Sequence, residues 1–548
     1  GPATDFPTKR SAGRLGASLP RGAGPSSPHA AWEHLGVPER PRDQRPFAVI
    51  DVGSNSARMI VFRLREGEHL DVVEDARAPL RLARELRDDD RLGEDAIDRA
   101  VEALRDFLAV AEGASVRRIL AIATSAVREA RDGHRLIERA NELGIPLEAI
   151  DGELEARLGF VGAVHDLPVV HGATMDVGGG TTELSLFRDR RLERSWTLPL
   201  GSLRITDRFL ENDPPTEAEL KDARKEVQAV FDQAGVPTLG GGELVGIGGT
   251  VRNLAKIDRR RTGYPMPILH GYSLEEDHVA GIVDDLASRP MKRRAKVRGL
   301  NADRADSIVG GGVIVLTSMR LVGADRILVS SRGLREGLAL GGPDAEIPEP
   351  AWVRAISVLT LARRFATWDL SSAERRATYA QQLLDRLDPD TPEHVREMLH
   401  HACFVLDVGR AIDYYERFEH AATILTSSDL AGFSHGALGV CTAILRQADD
   451  DSALGPQSRL VPKEARPAVL RAATILALAD ELNRRIPRGD GTRLTSRRAG
   501  TTVEIAVPVT PGWRPRTVER RFRSVFDADL EIVAVRRAPG GSSQLEPD

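Results

Sequence analysis

The sequence predicts an α/β protein built on a duplicated unit, followed by an all-helical domain and a small α+β domain. Three observations carry that prediction. Strand-like and helix-like segments alternate from Phe47 to Leu340. A strand, an Asp-x-Gly turn and a second strand occur twice, at Phe47–Leu64 and around Ala173–Phe187, with Asp176 falling 125 residues after Asp51. After Pro348-Glu349-Pro350, strand signals vanish until Thr501.

Taken in order, residues 1–45 carry Gly, Pro, Ser and Arg with no sustained apolar period, which predicts a disordered leader. The chain opens Gly-Pro rather than Met, and no apolar core of a secretory signal is present. Phe47–Ile50 is apolar, Asp51–Ser56 is a polar turn and Ala57–Leu64 is apolar again, a hairpin pattern. Apolar spacing at Ile97, Val101, Leu104, Leu108 and Ala111 predicts a helix over Asp95–Ala111. Arg118–Ala123 reads as a strand, Asp132–Leu143 as a helix and Ile145–Ile150 as a strand, and Gly152 opens another helix. The second unit enters its turn at Met175 and leaves it at Leu184–Phe187; a third Gly-rich turn, Val245–Thr250, leads into a helix from Val251. Beyond residue 350, Trp352–Leu387, His394–Cys403, His435–Arg446 and Lys463–Arg485 have helical period, and strands at Thr501–Val507 and Leu530–Val535 flank a helix at Arg516–Phe526. The expected domains are the leader 1–45, lobes 46–170 and 171–345, a helical domain 346–487 and an α+β domain 488–548.

Composition narrows the function. The 548 residues include 76 Lys+Arg against 81 Asp+Glu, a net charge of −5, which excludes a nucleic-acid binder that works by bulk charge. Two cysteines, Cys403 and Cys441, exclude a disulfide scaffold and a Cys-rich zinc module and fit a reducing cytoplasm. No apolar run approaches the roughly 18 residues that span a bilayer. No sequence-specific nucleic-acid partner and no membrane partner is expected.

The chemistry lies in the turns. Asp51-x-Gly53-Ser54-Asn55-Ser56 and Asp176-x-Gly178-Gly179-Gly180-Thr181 present successive backbone N–H groups and hydroxyls that can converge on phosphate. An Asp beside each turn disfavours a bare phosphate and makes sense holding a hydrated Mg²⁺ that bridges to it. Gly248-Gly249-Thr250 either binds a further part of the ligand or packs a helix against a strand. Thr124, Ser125 and Arg128 form either a phosphate grip or a capped helix with a surface arginine. In Asp151-Gly152-Glu153-Leu154-Glu155, the two glutamates lie two apart and do not share a helix face; spacing alone predicts a solvated helix N-terminus. The basic run Met291–Arg298 is either a solvated face or a track for a long polyanion.

Six segments together resemble one family: AVIDVGSNSARMIV at 48–61, AIATSAVREA at 121–130, DGELEAR at 151–157, MDVGGGTTELSL at 175–186, GIGGTVRNLAK at 246–256 and VSSRGLREGL at 329–338. They are similar, in order, to the Ppx/GppA phosphatases, the exopolyphosphatases and guanosine pentaphosphate phosphohydrolases. The resemblance implies two actin-like lobes with the site between them and Mg²⁺-dependent hydrolysis of a terminal phosphoanhydride. It makes Glu155 the general base, against the spacing argument, and places Glu183 near the metal and the attacking water. It implies Asp51 and Asp176 as metal-proximal carboxylates. Phosphate would be held by Gly53, Ser54, Asn55, Ser56 and Arg58 on one lobe, by Gly178, Gly179, Gly180 and Thr181 on the other, by Gly248, Gly249 and Thr250, and by Arg128 as a chain clamp.

Longer relatives carry a helical domain like the HD phosphohydrolases, and here this chain departs. Leu406 stands at the His position before Asp407, and Arg375, Arg376 and Thr378 lie where an upstream His is frequent. The expectation is a helical domain silent in catalysis that binds substrate chain or forms a homodimer surface, with His420 and His435 as surface or core residues. The expected substrate is inorganic polyphosphate, with guanosine pentaphosphate as the alternative and a non-catalytic sensor of either as the reading from a different class.

Overall fold

The computed structural model describes residues 45–65, 69–86, 90–449, 455–488, 494–499 and 502–535. Almost all of the leader expected over 1–45 therefore lies outside the described residues.

Two sheets repeat one topology. In the first, β1 (Phe47–Val52), β2 (Ser56–Leu64) and β3 (Leu70–Pro79) form an antiparallel meander, and β4 (Ile119–Ala123) and β5 (Leu147–Ala149) extend it in parallel beyond β1, in the order β3-β2-β1-β4-β5. In the second, β6 (Gly172–Val177), β7 (Thr182–Arg188) and β8 (Arg191–Leu198) form the meander, and β9 (Glu243–Ile247) extends it in parallel beyond β6. β10 (Tyr272–Glu275) pairs antiparallel with β11 (Arg326–Val329), which runs parallel to β9, giving the order β10-β11-β9-β6-β7-β8. Set side by side from the meander edge, β3-β2-β1-β4-β5 matches β8-β7-β6-β9-β11, so the duplication legible in two turns extends through five strands. Beyond that match, β10 is an addition to the second lobe.

Burial explains the strand sequences. β1 sits in the middle of its sheet and is apolar nearly throughout. β3 is an edge strand carrying Asp71, Glu74, Asp75 and Arg77, charges that discourage pairing with another chain. Helix Glu94–Gly113 buries Ile97, Val101, Leu104 and Phe107 against the first sheet. Helix Ile308–Val322 is buried nearly all round in the second lobe. Its glycines allow that: a Cβ at Gly310 would lie 2.4 Å from Thr206 Oγ1, and one at Gly311 2.6 Å from Thr250 Cγ2.

The helix that ends the first lobe, Gly152–His165, crosses the helix that ends the second, Leu334–Ala339. They meet backbone to backbone, since a Cβ at Gly162 would lie 2.0 Å from Gly333 O and one at Gly337 2.0 Å from Leu158 O.

Helices Pro350–Ala362, Leu370–Leu387, Glu393–Val405, Arg417–Ser427, His435–Asp449 and Arg466–Arg485 follow. The run expected as one helical stretch from Trp352 to Leu387 is two helices, the second capped by Asp369, which accepts from Ser372 N at 2.7 Å. His435 is buried and joins this region to the second lobe: Tyr264 Oη lies 3.0 Å from its Nδ1, and His270 O lies 2.9 Å from its Nε2. At the C-terminal end β12 (Thr495–Ala499), β13 (Thr502–Val507) and β14 (Asp529–Ala534) form a sheet in that order, accompanied by helix Arg516–Phe526. This is the α+β unit expected, with β12 added.

Candidate active site

The two duplicated hairpins close in the same way. Gly53 N donates to Ser56 O at 3.2 Å, and Gly178 N donates to Thr181 O at 2.9 Å. Across the strands, Asp51 pairs with Arg58 and Asp176 pairs with Glu183. One ancestral position thus carries a guanidinium on the first hairpin and a carboxylate on the second. The turns meet tip to tip: a Cβ at Gly179 would lie 3.2 Å from Ser54 Cβ, and one at Gly180 3.1 Å from Ser125 Oγ. The third loop closes the floor. Gly248 has φ +83°, and a Cβ there would lie 2.2 Å from Asp176 Oδ1; one at Gly249 would lie 2.2 Å from Arg304 Nη2.

The cleft between these turns gathers most of the residues singled out in the sequence. Asp51, Gly53, Ser54, Asn55, Ser56 and Arg58 line it from the first hairpin, and Asp176, Gly178, Gly179, Thr181 and Glu183 from the second. Glu155, Gly248 and Gly249 complete that set. Three expected phosphate contacts stand outside the lining. Arg128 stands behind the lining, donating to Ile150 O at 2.7 Å and to Glu155 Oε2 at 3.4 Å, so it holds the glutamate. Thr250 donates its hydroxyl to Val177 O at 3.3 Å and braces the strand end. Gly180 supports the turn against Ser125.

Sequence reasoning on spacing missed how the helix from Gly152 is turned. The side chain of Glu153 is 73% exposed, whereas that of Glu155 is 14% exposed and enters the cleft. Asp151 caps the helix by accepting from Leu154 N at 2.8 Å, which fixes that orientation. Arg252, Arg304, Arg332 and Arg335 also line the cleft and had not been assigned. Arg252, Arg332 and Arg335 lie inside segments that carry the family resemblance, which was the only signal for them, and Arg304 lies outside all six. Arg304 rides on a segment pinned to the opposite lobe, where Arg77 pairs with Asp303 and Arg84 with Asp306 at 3.0 Å.

Charge is crowded in this cleft on both signs. Burial pushes the Glu155 carboxyl up to about 8, with the Asp51 charge adding to the effect and Arg128 opposing it. Burial pushes Asp51 up to about 6, raises Asp176, and holds Glu183 well above the usual carboxylate range. Glu183 Oε1 is buried without a hydrogen-bond partner. On the other side, burial and mutual repulsion lower Arg58, Arg252 and Arg304 to about 10. Such a cleft gains from a cation among its carboxylates and an anion among its guanidiniums. Among the described residues no group of three or more His, Cys, Asp or Glu side chains is placed to cage a metal. Two facing aspartates instead suit a Mg²⁺ that keeps water and takes phosphate oxygens as its remaining ligands.

The helical region contains a second buried charge cluster. Arg376, almost fully buried, donates to Asp407 and, at 3.1 Å, to Asp480 Oδ1; Arg417 donates to Asp480 Oδ2 at 2.7 Å. The two carboxylates are committed to guanidiniums. The exposed cations of the basic run are Lys292, Arg293, Lys296 and Arg298, while Arg294 is buried and donates to Leu286 O, Arg289 O and Ala305 O.

Two lobes of duplicated topology, with glycine turns, buried carboxylates and guanidiniums facing one another in the cleft, define a phosphate-handling protein of the actin-like ATPase fold. Comparison with known proteins is specific. The Ppx/GppA phosphatase family matches residues 60–344, and Ppx/GppA phosphatase domain III matches residues 353–511. The chain is 29% identical over 323 residues to exopolyphosphatase 1 of Mycobacterium tuberculosis, covering 58% of this chain and 94% of that protein. The crystal structure of an exopolyphosphatase-like protein aligns with a TM-score of 0.50 at 26% identity, covering 54% of this chain and 96% of the other. The crystal structure of an Aquifex aeolicus Ppx/GppA family member aligns with a TM-score of 0.48 at 28% identity, over 54% of this chain and 96% of that one. The chain belongs to the Ppx/GppA phosphatase family, hydrolases that act on phosphoanhydride bonds. No helix among the described residues is long and apolar enough to cross a membrane.

Proposed function

We propose that the protein is a Mg²⁺-dependent exopolyphosphatase that releases orthophosphate from the end of inorganic polyphosphate. The observation that carries this reading is the confrontation, across two glycine turns, of Asp51, Glu155, Asp176 and Glu183 with Arg58, Arg252, Arg304, Arg332 and Arg335. The similarity to exopolyphosphatase 1 supports it.

In this reading, the N–H groups of the Gly53–Ser56 and Gly178–Thr181 turns hold the terminal phosphoryl group in line with a water. Glu155, held by Arg128, takes a proton from that water as its oxygen bonds to phosphorus; the bond from phosphorus to the bridging oxygen breaks, and the shortened chain leaves with that oxygen. Glu183 orients the water. Arg58, Arg252 and Arg304 neutralise the oxygens of the departing chain. Asp51 and Asp176 would hold Mg²⁺, which supplies positive charge against the phosphate oxygens and relieves the repulsion between the carboxylates.

The test is phosphate release from long polyphosphate, tripolyphosphate and guanosine pentaphosphate, with Mg²⁺ and with a chelator. Polyphosphate turnover dependent on Mg²⁺ is expected. Faster turnover of guanosine pentaphosphate would move the assignment to that substrate, and release from none of them would overturn hydrolysis and leave a binding protein.

A further inference from the structure

Arg332 follows β11 in the loop Ser330–Gly333 and lines the cleft, with 7% of its side chain exposed. Two carboxylates hold it. Asp166 Oδ2 lies 3.0 Å from its Nε, and Asp429 Oδ2 accepts from its Nη2 at 2.8 Å. Asp166 terminates the helix whose first turn carries Glu155, and is itself held by His165 Nδ1 at 2.5 Å. Asp429 comes from elsewhere, the link between helices Arg417–Ser427 and His435–Asp449. That link is docked on the lobes and on its own domain: Gly432 N donates to Asp166 O at 2.6 Å, and Ala431 N donates to Ser357 Oγ at 2.9 Å.

We infer that Asp429 is a positioning residue for the cleft, acting through Arg332, so that the helical domain completes a site formed otherwise by the two lobes. The inference rests on the reading that the cleft receives a polyphosphate. The charge-assisted hydrogen bond to Asp429 aims the guanidinium; Asp166 supplies charge from the side but no bond of good direction to Nε, which lacks a hydrogen-bond partner. The helical region thereby adds something foreign to the shorter relatives. Exopolyphosphatase 1 of M. tuberculosis is spanned over 94% of its length by 58% of this chain, which leaves too little of that protein to supply a counterpart of the 353–511 segment.

The sign of the effect distinguishes positioning from simple charge. Removing Asp429 takes a negative charge from beside the cleft, which by electrostatics alone tightens a polyanion. Loss of aim weakens it. The experiment compares the full chain with Asp429→Asn and Asp429→Glu, by calorimetric binding of tripolyphosphate and by KM and kcat on long polyphosphate. Asp429 is half exposed, so the variants are expected to keep the melting temperature of the parent. Asp429→Asn is expected to weaken tripolyphosphate and raise KM by about tenfold, the worth of one charge-assisted hydrogen bond, with kcat within about twofold. Asp429→Glu is expected to restore most of the loss. Unchanged or tighter binding in Asp429→Asn overturns the inference while leaving hydrolysis by the parent intact. If the parent binds tripolyphosphate but hydrolyses no polyphosphate, the functional reading falls and the binding comparison still decides the role of Asp429. If it binds none, both fall.

Discussion

The Arg376 guanidinium donates to Asp480 at 3.1 Å inside the helical domain, at a point where water does not reach. Asp407 accepts from the same guanidinium, and Arg417 shares Asp480. A charge cluster of this kind contributes little relative to a well-packed apolar one, but losing one member strands the rest. Arg376→Ala is expected to lower stability by about 3–5 kcal/mol, read by urea denaturation. Replacing Arg376, Asp407, Asp480 and Arg417 together by apolar residues of similar size is expected to recover most of that. A cost below about 1 kcal/mol for Arg376→Ala would show that water or a neighbour takes over the carboxylates.

The cleft carboxylates give a pH dependence of definite sign. Asp51 and Glu155 have folded-state values raised to about 6 and about 8. The folded chain therefore keeps protons that the unfolded chain has released, and the metal-free protein is expected to lose stability as pH rises from about 4 to about 8. A cation held at Asp51 and Asp176 opposes that loss. The melting temperature gained on adding Mg²⁺ is expected to be larger at pH 8 than at pH 5. An equal gain at both would count against binding at these carboxylates.

His435 works in the opposite direction. Burial lowers it to about 4, and it sits neutral between Tyr264 and His270 O. The unfolded chain takes up that proton first, so stability is expected to fall as pH drops from about 6.5 to about 4, by up to about 3 kcal/mol. Denaturation curves of the parent and of His435→Gln across this window measure the difference. Parallel curves would assign the acid loss to other groups.

Gly248 tests the third loop. Its φ of +83° and the 2.2 Å approach of a Cβ to Asp176 Oδ1 leave no room for a side chain. Gly248→Ala is expected to cost about 1–3 kcal/mol in backbone strain. Displacing Asp176 is expected to lower phosphate release by about 10²-fold, with a higher Mg²⁺ requirement. Normal turnover at ordinary Mg²⁺ would remove Asp176 from the chemistry.

Glu155 carries the sharpest kinetic prediction. Glu155→Gln keeps the shape and the contact to Arg128 while removing the base, and kcat is expected to fall by about 10²–10⁴-fold with tripolyphosphate affinity retained. A negligible fall would pass the role to Glu183.

The duplicated hairpins were legible because an Asp-x-Gly turn between apolar strands is a local pattern, and its repetition carries information that one copy lacks. β3 and β8 were not legible. Both are edge strands, and Glu74, Asp75, Glu193 and Arg194 hide the alternation that marks a strand. Helix Ile308–Val322 was hidden for another reason: buried nearly all round, with three consecutive glycines, it shows no apolar stripe. The site divides similarly. Turn glycines and their aspartates announce themselves within six residues, whereas Arg252, Arg304, Arg332 and Arg335 come from three separate stretches of the chain and meet only when the lobes fold. Glu155 shows the limit of spacing. Two glutamates at i and i+2 can send at most one into a given site, spacing alone leaves both in solvent, and the cap at Asp151 turns Glu155 inward.

The crossing at Gly162 and Gly337 has a mechanical meaning. At those two glycines the helices touch main chain to main chain, and beside them Leu154 and Leu158 of one pack with Leu334 and Leu338 of the other. Gly333 O and Leu158 O each occupy the space where the other helix lacks a methyl group, so neither helix slides along the other without a clash. The register between the two lobes is set at this crossing, and a methyl group added at either glycine would push them apart.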